Sequence, residues 1–495
     1  MNLSFPNPAY DRTVLRPAYD DALKYLYAPM MDAHEAHTVM LAECGVITQE
    51  NARALLDAIA VVRSEGKEHL AYEPGVEDLF FRIERRIIEL AGPDYGGNLQ
   101  LARSRNDLGH ALARMALRDL VTELYSDLLV LRESVRKLAG QHLNTVMPGY
   151  THTQPAQPVT FAHYLAGVLT FLAKDQRRLA AAYANVNESP LGAAAFTGTG
   201  FAIDRKRVAE LLGFDGYVVS TQHSIGAGDH LTDVANALQS LAAGLGRMTH
   251  DLLFLGTKES GALYIHDSFI QISSIMPQKR NPVVLEHLRA RLSRALGMAQ
   301  GIVLQCHNIP YGDTQDIEDE IWPLTVGAIE AVDESVELYT SVFSTLTLNE
   351  DHLRARAGLG FTTATELADA LVRETGISFR QAHSIVSAVV REAVAAGLEA
   401  PDLTVDGLQA AAERIIGHRL PFSAAQMAEA LDPQHFVEVR TLPGGVAPAA
   451  TEQLLNQLDA DVSSDREWQT HVTERRTQAK AALQEVVQRM RTTAG

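Results

Sequence analysis

The chain of 495 residues carries a formal net charge of -18, and 46% of its residues are hydrophobic. The hydrophobic content is enough to form large cores. The net negative charge would repel a phosphate backbone, and no basic tract offsets it, so a nucleic-acid partner is not expected. No uncharged apolar run approaches the length of a membrane span, and Cys44 and Cys306 are too few for a disulfide framework. Because the N-terminal residues lack the basic and apolar regions of a signal peptide, we expect a soluble, cytoplasmic protein without a membrane partner.

The first predicted boundary is a turn-forming Gly-Pro-Asp-Tyr-Gly-Gly segment at residues 92–97, after which the sequence Arg-Ser-Arg-Asn-Asp begins at Arg103. Asn106 or Asp107 can cap a helix here. The free N–H groups of a helix start, together with Arg103 and Arg105, would bind an anion. A capped helix start with solvated arginines is the structural alternative.

The next element is a long helix. Apolar residues recur at helical spacing from Leu108 to Leu138, which predicts a helix of about 30 residues and about 45 Å. The pattern recurs from Leu231 to Leu255, and residues 284–307 and 324–346 look similar. Apolar residues occupy more than one face of these helices. The periodicity therefore predicts an all-α fold with a long-helix bundle that is partly buried against other subunits.

Residues 149–158, which follow the first long helix, contain Thr151 and His152 between Gly and Pro breaks. A single histidine is more often structural than catalytic, but this is a poor location for a helix core. If His152 faces Glu286, the carboxylate would fix its tautomer and support its imidazolium form.

Residues 272–282 read Ile-Ser-Ser-Ile-Met-Pro-Gln-Lys-Arg-Asn-Pro, and we call residues 273–281 the Ser loop. Two hydroxyls, two cations and two amides are gathered there. Such a segment can bind a carboxylate and remove a proton beside it. An ordinary surface turn is the alternative, because Ser, Pro and Asn are frequent in turns.

Residues 310–320, which we call the acidic loop, carry five acids, Asp313, Asp316, Glu318, Asp319 and Glu320. A solvated helix start explains such a run, but one or two of its acids could face a pocket. A Gly-Leu-Gly break at residues 358–360 follows the bundle. We therefore predict an N-terminal helical domain at 1–105, a central bundle at 106–355 and a C-terminal helical domain at 356–495.

Three of these segments, residues 103–107, 148–158 and 273–282, have the order and approximate spacing of signature regions of the fumarase/aspartase superfamily. The chain most closely resembles argininosuccinate lyases, and the likeness runs over nearly its whole length. The resemblance implies a three-domain, all-α homotetramer in which each active site is built from three subunits. It also implies cleavage of a C–N bond of an N-substituted aspartate, without cofactor or metal, to give fumarate and an amine-type product.

The resemblance also implies roles for individual residues. Ser274 would be the base, and Lys279 with Asn281 would hold the carboxylate that gains charge in the enolate-like intermediate. His152, supported by Glu286, would tune the pocket or transfer a proton. The remaining implied contacts of the succinyl part and its surroundings are Ser104, Arg105, Asn106, Thr151, Ser273 and Met276. A serine is a poor base at its ordinary pKa, so Ser274 requires an electropositive pocket.

Two departures from the family lie outside the leaving-group site. Argininosuccinate lyases normally carry His-Thr-Gly before the Arg-Ser-Arg-Asn-Asp segment, where this chain has Gln100, Leu101 and Ala102. The Gly that normally opens the Ser loop is Ile272, which should restrict the backbone. These changes are the best support for a catalytically silent structural or binding tetramer on the same scaffold, the alternative from a different functional class.

The largest departure lies in the acidic loop. The Tyr, Gln and Lys with which the family contacts the arginine part fall on Gly312, Ile317 and Glu320. A lysine replaced by Glu320 reverses the local charge, so we expect a neutral or cationic leaving group without its own carboxylate. Alternatively, a shift of one or two residues lets Tyr311 and Gln315 take over, and the chain is an argininosuccinate lyase proper.

Overall fold

The structure, a computed structural model, describes residues 5–492, and the prediction of an all-α fold is confirmed. Residues 1–4, part of the stretch considered for a signal peptide, and 493–495 lie outside the described residues. The helices are α1 (Pro8–Tyr10), α2 (Arg16–Asp21), α3 (Tyr27–Glu43), α4 (Gln49–Glu65), α5 (Leu79–Ala91), α6 (Pro93–Gly96), α7 (Arg105–Gln141), α8 (Phe161–Val186), α9 (Arg205–Leu211), α10 (Thr221–Gly226), α11 (Asp229–Leu255), α12 (Val283–Cys306), α13 (Gln315–Glu318), α14 (Trp322–Thr345), α15 (Glu350–Ala357), α16 (Ala364–Thr375), α17 (Phe379–Ala395), α18 (Val405–Ile416), α19 (Ala424–Leu431), α20 (Pro433–Glu438) and α21 (Pro448–Thr492).

Short elements complete the fold. Two π-helical stretches, Asp11–Leu15 and Ala22–Leu26, interrupt the first helices, and three 3₁₀ turns occupy Lys67–His69, Asp267–Phe269 and Ala400–Asp402. The strands pair in four two-stranded sheets: β1 (Val146–Thr151) with β2 (Gln154–Thr160), β3 (Glu188–Ser189) with β4 (Gly216–Tyr217), β5 (Leu263–Tyr264) with β8 (Thr347–Leu348), and β6 (Gln271–Ile272) with β7 (Arg280–Asn281). All are antiparallel except the β3/β4 pair.

The core of the described residues is a bundle of five helices of 24 to 37 residues, α7, α8, α11, α12 and α14. Their buried faces are mostly Leu, Val and Ala, as the predicted periodicity requires. Four of the five were predicted from sequence, and α8 is the additional member. Within the described residues no helix is long and apolar enough to cross a membrane.

Contacts at the helix ends fix the direction of each helix. The α8 helix runs back along α7, because Arg114 near the α7 start donates to the Asn185 carbonyl at 2.6 Å. The α11 helix begins beside this point and ends by the β1/β2 hairpin, where Phe254 and Tyr150 form an edge-on ring pair. The α12 helix then returns, so that Cys306 packs against Gly228. The bundle therefore has one end at the α7 start and the other at the β1/β2 hairpin.

The start of α7 is capped differently from the prediction. The N-cap is Ser104, not Asn106 or Asp107. Ser104 and Asp107 form a capping box, in which Asp107 accepts from the Ser104 N–H at 2.9 Å. The other Asp107 oxygen accepts from the N–H groups of Gly192 and Ala194, each at 2.9 Å. Asp107 therefore fixes both the helix start and the 190–194 turn.

Two smaller cores flank the bundle. The C-terminal one is built from α16 to α19, and the N-terminal one from α3, α4, α5 and the first turns of α7. The last helix, α21, packs on both the bundle and the N-terminal core through Leu455, Leu458, Leu483 and Val486. The predicted division at residues 105 and 356 remains a prediction, and α21 packs across it.

Candidate functional site

The residues predicted to form the site lie at the two ends of the bundle. Ser104, Arg105 and Asn106 are at the start of α7, whereas Thr151 and His152 follow its end. The α7 helix that runs between the two groups has 37 residues and is about 55 Å long at 1.5 Å per residue. The Ser loop follows α11 and precedes α12, which places it at the hairpin end. One chain therefore cannot bring Asn106 to His152.

At the α7 end, a cavity of about 360 Å³ lies between the first turns of α7, the N-terminal segment and the acidic loop. Arg105 and Asn106, two of the predicted substrate contacts, line it. So do six acids: Asp21, Glu77, Asp78, Asp313, Glu318 and Asp319. Sequence reasoning placed one or two acids of the acidic loop in a pocket, and the structure places three there. The cavity is thus acidic overall.

Arg105 already pairs with acids in this chain. Its Nη1 donates to Glu77 at 3.2 Å and to Asp78 at 2.7 Å, and its guanidinium lies over the Phe81 ring. The Ser104 hydroxyl donates to the side-chain oxygen Oδ1 of Asn106 at 2.9 Å. The Asn106 side-chain NH₂ group is the part of this motif that is left to face the cavity.

Arg103, which the sequence suggested as a second anion ligand, is a buried structural residue. It donates to Gln100 Oε1 at 2.8 Å and contacts His34 Nδ1 at 2.9 Å. Burial lowers its pKa to about 10. The departures from the family at Gln100–Ala102 thus lie in a packed turn. Ala102, at the place of the family's Gly, has a left-handed φ of 62°.

The acidic loop is held by the α10 helix. The Tyr311 carbonyl accepts from Gln222 at 2.8 Å, and the Tyr311 hydroxyl pairs with His223 at 2.5 Å. Tyr311 does not line the cavity, so within this chain it does not replace the family's Tyr. Gln315 lines it but donates to Glu318 at 3.1 Å. Glu320, whose charge reversal was central to the sequence argument, does not line it.

Glu318 is the acid of this loop with the most strongly shifted pKa. Burial, together with the negative charges of Asp313 and Asp319, raises its pKa to about 8. The pKa of Asp319 is also raised, mainly by burial and then by Asp78. Both shifts thus follow from burial first and then from the acids that surround these two groups.

His110 was missed by sequence reasoning. It is buried on α7, four residues after Asn106, and lines the same cavity. The spacing of four residues puts both side chains on one face of the helix, which is a signal that the sequence contained. Its neighbours Asp313 and Glu318 are about 200 residues away in sequence, so no local pattern could pair them with it.

At the other end, His152 stands at the tip of the β1/β2 hairpin. Thr151 pairs with Gln154, which leaves His152 and Thr153 as a two-residue turn with φ values of 51° and 63°. Turns of this type favour Asn and Gly, and a β-branched Thr there costs about 1–2 kcal/mol. The strained turn presents the His152 side chain to solvent. No contact joins His152 to Glu286 among the described residues of this chain.

The Ser loop projects from the β6/β7 pair. Ile272 lies in β6 opposite Arg280, and its side chain is 83% exposed, so the absence of the family's Gly is accommodated by extended backbone. Within the loop, Ser273 Oγ accepts from the Met276 N–H at 3.0 Å, which shapes the turn. The exposed Ser274 and Lys279 side chains have no partner among the described residues. The remaining predicted loop residues are Met276, exposed, and Asn281, half-buried in β7.

Glu286 lies in the first turn of α12, directly after the Ser loop, and is exposed. Its carboxylate would interact favourably with the positive end of this helix dipole. His152, Ser274, Lys279 and Glu286 thus occupy one end of the bundle as exposed groups. Each is available for contact with another molecule.

Two family models match the chain. The one described as Lyase matches residues 22–297, and the one described as Argininosuccinate lyase C-terminal matches residues 361–438. Argininosuccinate lyase 1 of Shouchella clausii is 35% identical over 92% of this chain and 91% of its own. Argininosuccinate lyase 2 of Agrobacterium fabrum is 37% identical over 90% and 88%, respectively.

Solved structures agree with these relatives. EDDS lyase in complex with formate has a TM-score of 0.88 and 32% identity over 97% of this chain and 96% of its own. A variant of EDDS lyase with bound fumarate has a TM-score of 0.87 at the same identity and coverage. A fumarate lyase from Mesorhizobium sp. BNC1, at 19% identity and a TM-score of 0.70, shares the fold; it covers 89% of this chain and 99% of its own.

Proposed function

The chain belongs to the argininosuccinate lyase group of the fumarase/aspartase superfamily, and on this premise we propose how its residues perform C–N cleavage. The reaction is β-elimination from an N-substituted aspartate, which releases fumarate and an amine-type product. The observation that supports it most directly is the Ser loop, which holds an unpaired hydroxyl and an unpaired ammonium together on an exposed turn. Both groups can contact a substrate, and another subunit that covers the turn would enclose that substrate.

We propose a cytoplasmic homotetramer in which each site combines residues from both ends of the bundle. The length of α7 supports this, because this helix of about 55 Å runs between Asn106 and the hairpin that carries His152 in one chain. An antiparallel neighbour would bring its α7 start to the hairpin end of the first chain. The 83% exposure of Ile272 and of Ile275 supports a covering subunit at the Ser loop.

In the proposed mechanism, Ser274 removes the Cβ proton and Lys279 with Asn281 stabilises the carboxylate that gains charge. His152 and Glu286, from the exposed hairpin tip and the α12 start, form an imidazole–carboxylate pair across a subunit interface. Thr151 and Asn106 hold the succinyl part by hydrogen bonds. The electrons of the broken Cβ–H bond are held in the enolate-like carboxylate and then form the Cα–Cβ double bond of fumarate. The nitrogen, protonated before it leaves, keeps the C–N bonding pair and departs as a neutral amine.

The acidic cavity supports a leaving group that is neutral or cationic and lacks its own carboxylate. Asp78 and Asp319 would attract an ammonium group and repel a carboxylate. Arg105 would not offset this field, because it is already paired with Glu77 and Asp78. The cavity lies beside Asn106, so the leaving group and the succinyl part would be held next to each other.

Argininosuccinate lyase proper is the second function, and the relatives at 35–37% identity favour it. The experiment that decides follows fumarate release from argininosuccinate and from succinylated small amines at equal concentration. We expect higher kcat/KM for the succinylated amines. Efficient turnover of argininosuccinate would restore the arginine substrate, and no turnover across the panel in either direction would refute the lyase proposal.

A further inference from the structure

Three side chains that could bind a metal ion meet in the wall of the acidic cavity. His110 comes from α7, and Asp313 and Glu318 come from the acidic loop. One ligand atom from each lies within 4.8 Å of the other two. The helix surface is open at this point, because a methyl group on Gly109 would only reach ordinary contact, 3.5 Å, with Glu318 Oε1.

The environment of the His110 imidazole indicates that this side chain binds a ligand. Its side chain is 3% exposed, and Nε2 is buried without a hydrogen-bond partner among the described residues. The nearest acid oxygen, Asp313 Oδ1, lies 3.6 Å away, beyond hydrogen-bond distance. A buried polar atom without a partner costs about 1–3 kcal/mol, so such atoms are rare unless something binds them.

The local charge favours a cation. The Asp313 and Glu318 carboxylates lie within 4.8 Å of each other, so their negative charges repel one another in the free chain. Arg105, which lines the same cavity, is itself paired with Glu77 and Asp78. A divalent ion between the carboxylates would relieve the repulsion and also occupy the free His110 nitrogen.

We propose that His110, Asp313 and Glu318 form a binding site for a divalent first-row transition-metal ion, with Zn²⁺ as the best fit. One imidazole and two carboxylates suit this class, whereas Mg²⁺ and Ca²⁺ prefer oxygen ligands alone. Ligand atoms around tetrahedral Zn²⁺ stand about 3.4 Å apart, so the separations in the present set, at most 4.8 Å, shorten by up to about 1.4 Å on binding. The cavity leaves the fourth position to water or to a donor atom of a small molecule.

The loop that carries two of these ligands is well positioned. Any side chain on Gly226 would come within 2.8 Å of the Tyr311 carbonyl carbon, so this close approach requires glycine. Gln305 donates to the Asp316 carbonyl at 3.0 Å and fixes the other side of the loop. A ligand pair held from both sides loses little freedom when an ion binds.

The test uses the full-length protein after removal of metals with a chelator and dialysis. Isothermal titration with Zn²⁺ should give one ion per chain, and His110→Ala and Asp313→Asn should each weaken binding about 10- to 100-fold. Asp316→Asn is the matched control, because Asp316 belongs to the same loop but does not line the cavity. Mg²⁺ should bind at least about 10-fold more weakly than Zn²⁺.

Titration with Co²⁺ gives a second readout that does not depend on enzyme activity. Visible absorption of the bound ion should shift or vanish in His110→Gln, a variant that keeps a polar side chain of similar length. Circular dichroism establishes that each variant is folded. Absence of stoichiometric Zn²⁺ binding, or equal loss in Asp316→Asn and His110→Ala, would overturn the proposal. The lyase proposal is tested separately by fumarate release, so the two can fail independently.

Discussion

Asn106 lies in the first turn of α7 and His152 lies at the tip of the hairpin that follows its other end, so a rigid helix of 37 residues, about 55 Å long, runs between them. No hinge within a continuous helix could close that distance. If both residues contact one succinyl group, they must come from different chains. Shared sites therefore follow from the length of a single secondary-structure element together with the proposed chemistry.

The first prediction is complementation. Asn106→Ala and Ser274→Ala should each be inactive alone, whereas tetramers mixed at equal ratio should regain about a quarter of wild-type activity, because that fraction of sites carries neither lesion. Activity after joint refolding is the measurement, and the separately refolded variants are the control. Mixed tetramers without recovered activity would argue that one chain supplies both residues.

The second prediction concerns leaving-group selection. Asp319 lines the cavity and its neighbour Glu320 does not, so the two form a matched pair. For a cationic leaving group, Asp319→Asn should lower kcat/KM about 10-fold, since a charge-assisted contact contributes roughly 1.5–3 kcal/mol. Glu320→Gln should leave it nearly unchanged. Equal effects of the two substitutions would refute the assignment of the cavity to the leaving group.

A second substitution at Glu320 tests the charge reversal that the sequence shows at this position. Glu320→Lys restores the charge that argininosuccinate lyases carry at this place. Because Glu320 does not line the cavity of its own chain, we expect little gain of argininosuccinate turnover. A large gain would show that Glu320 reaches a site through another subunit.

The long helices could be predicted from sequence because their signal is local. Apolar residues at helical spacing identified α7 and α11 almost to their ends. Residue types alone predicted Asn106 or Asp107 as the α7 cap. They do not reveal the capping box, in which the side chains of Ser104 and Asp107 each accept a hydrogen bond from a backbone N–H at the helix start. Cap geometry depends on dihedral angles that residue types only bias.

The electrostatics of the site could not be predicted because they depend on distant residues. Arg105 looked like an anion ligand, but Asp78, at a separation of 27 residues, occupies it. The α5 start that carries Asp78 packs against the α7 start only in the folded chain. The same holds for His110, whose acidic neighbours come from a loop about 200 residues later.

The third prediction concerns Ala102, which occupies a left-handed conformation with φ at 62°. Ala102→Gly should stabilise the protein by up to about 1 kcal/mol, because an L residue costs about 1–2 kcal/mol there and the greater unfolded-state entropy of Gly offsets part of the gain. Urea unfolding at a fixed protein concentration measures it. As a control, Ala113→Gly inside α7 should destabilise by about 1 kcal/mol. A loss of stability in Ala102→Gly would mean that the turn is not strained.

The fourth prediction concerns pH and Asp333, which faces Asp127, Glu123 and Glu337 where α14 packs on α7. Burial, then repulsion by these acids, raises its pKa to about 7. The folded state therefore binds more protons than the unfolded state between about pH 4 and pH 7, so this group lowers stability as pH rises through that window.

Asp333→Asn should remove this pH dependence and stabilise the protein at pH 8 by about 1–2 kcal/mol, a figure reduced for the partial exposure of the group. Unfolding free energies at pH 6 and pH 8 give the measurement. Asp406→Asn, at a site that is 90% exposed, is the control and should change neither value. A wild-type slope that persists in Asp333→Asn would assign the dependence to another group.

The last prediction concerns Ser274, whose hydroxyl is exposed and unpaired within the described part of the chain. As the general base, its loss in Ser274→Ala should lower kcat about 10²- to 10⁴-fold. Tetramer mass and unfolding midpoint should not change, because the hydroxyl makes no contact that supports the fold.

Ser273 accepts a backbone hydrogen bond from Met276, so Ser273→Ala should instead loosen the Ser loop and raise KM as well as lower kcat. Ser268→Ala, in the exposed turn just before the loop, controls for a general effect of serine removal. If Ser274→Ala retained wild-type kcat, the base would have to be sought elsewhere, and His152, exposed at the hairpin tip of the same bundle end, would be the next residue to test.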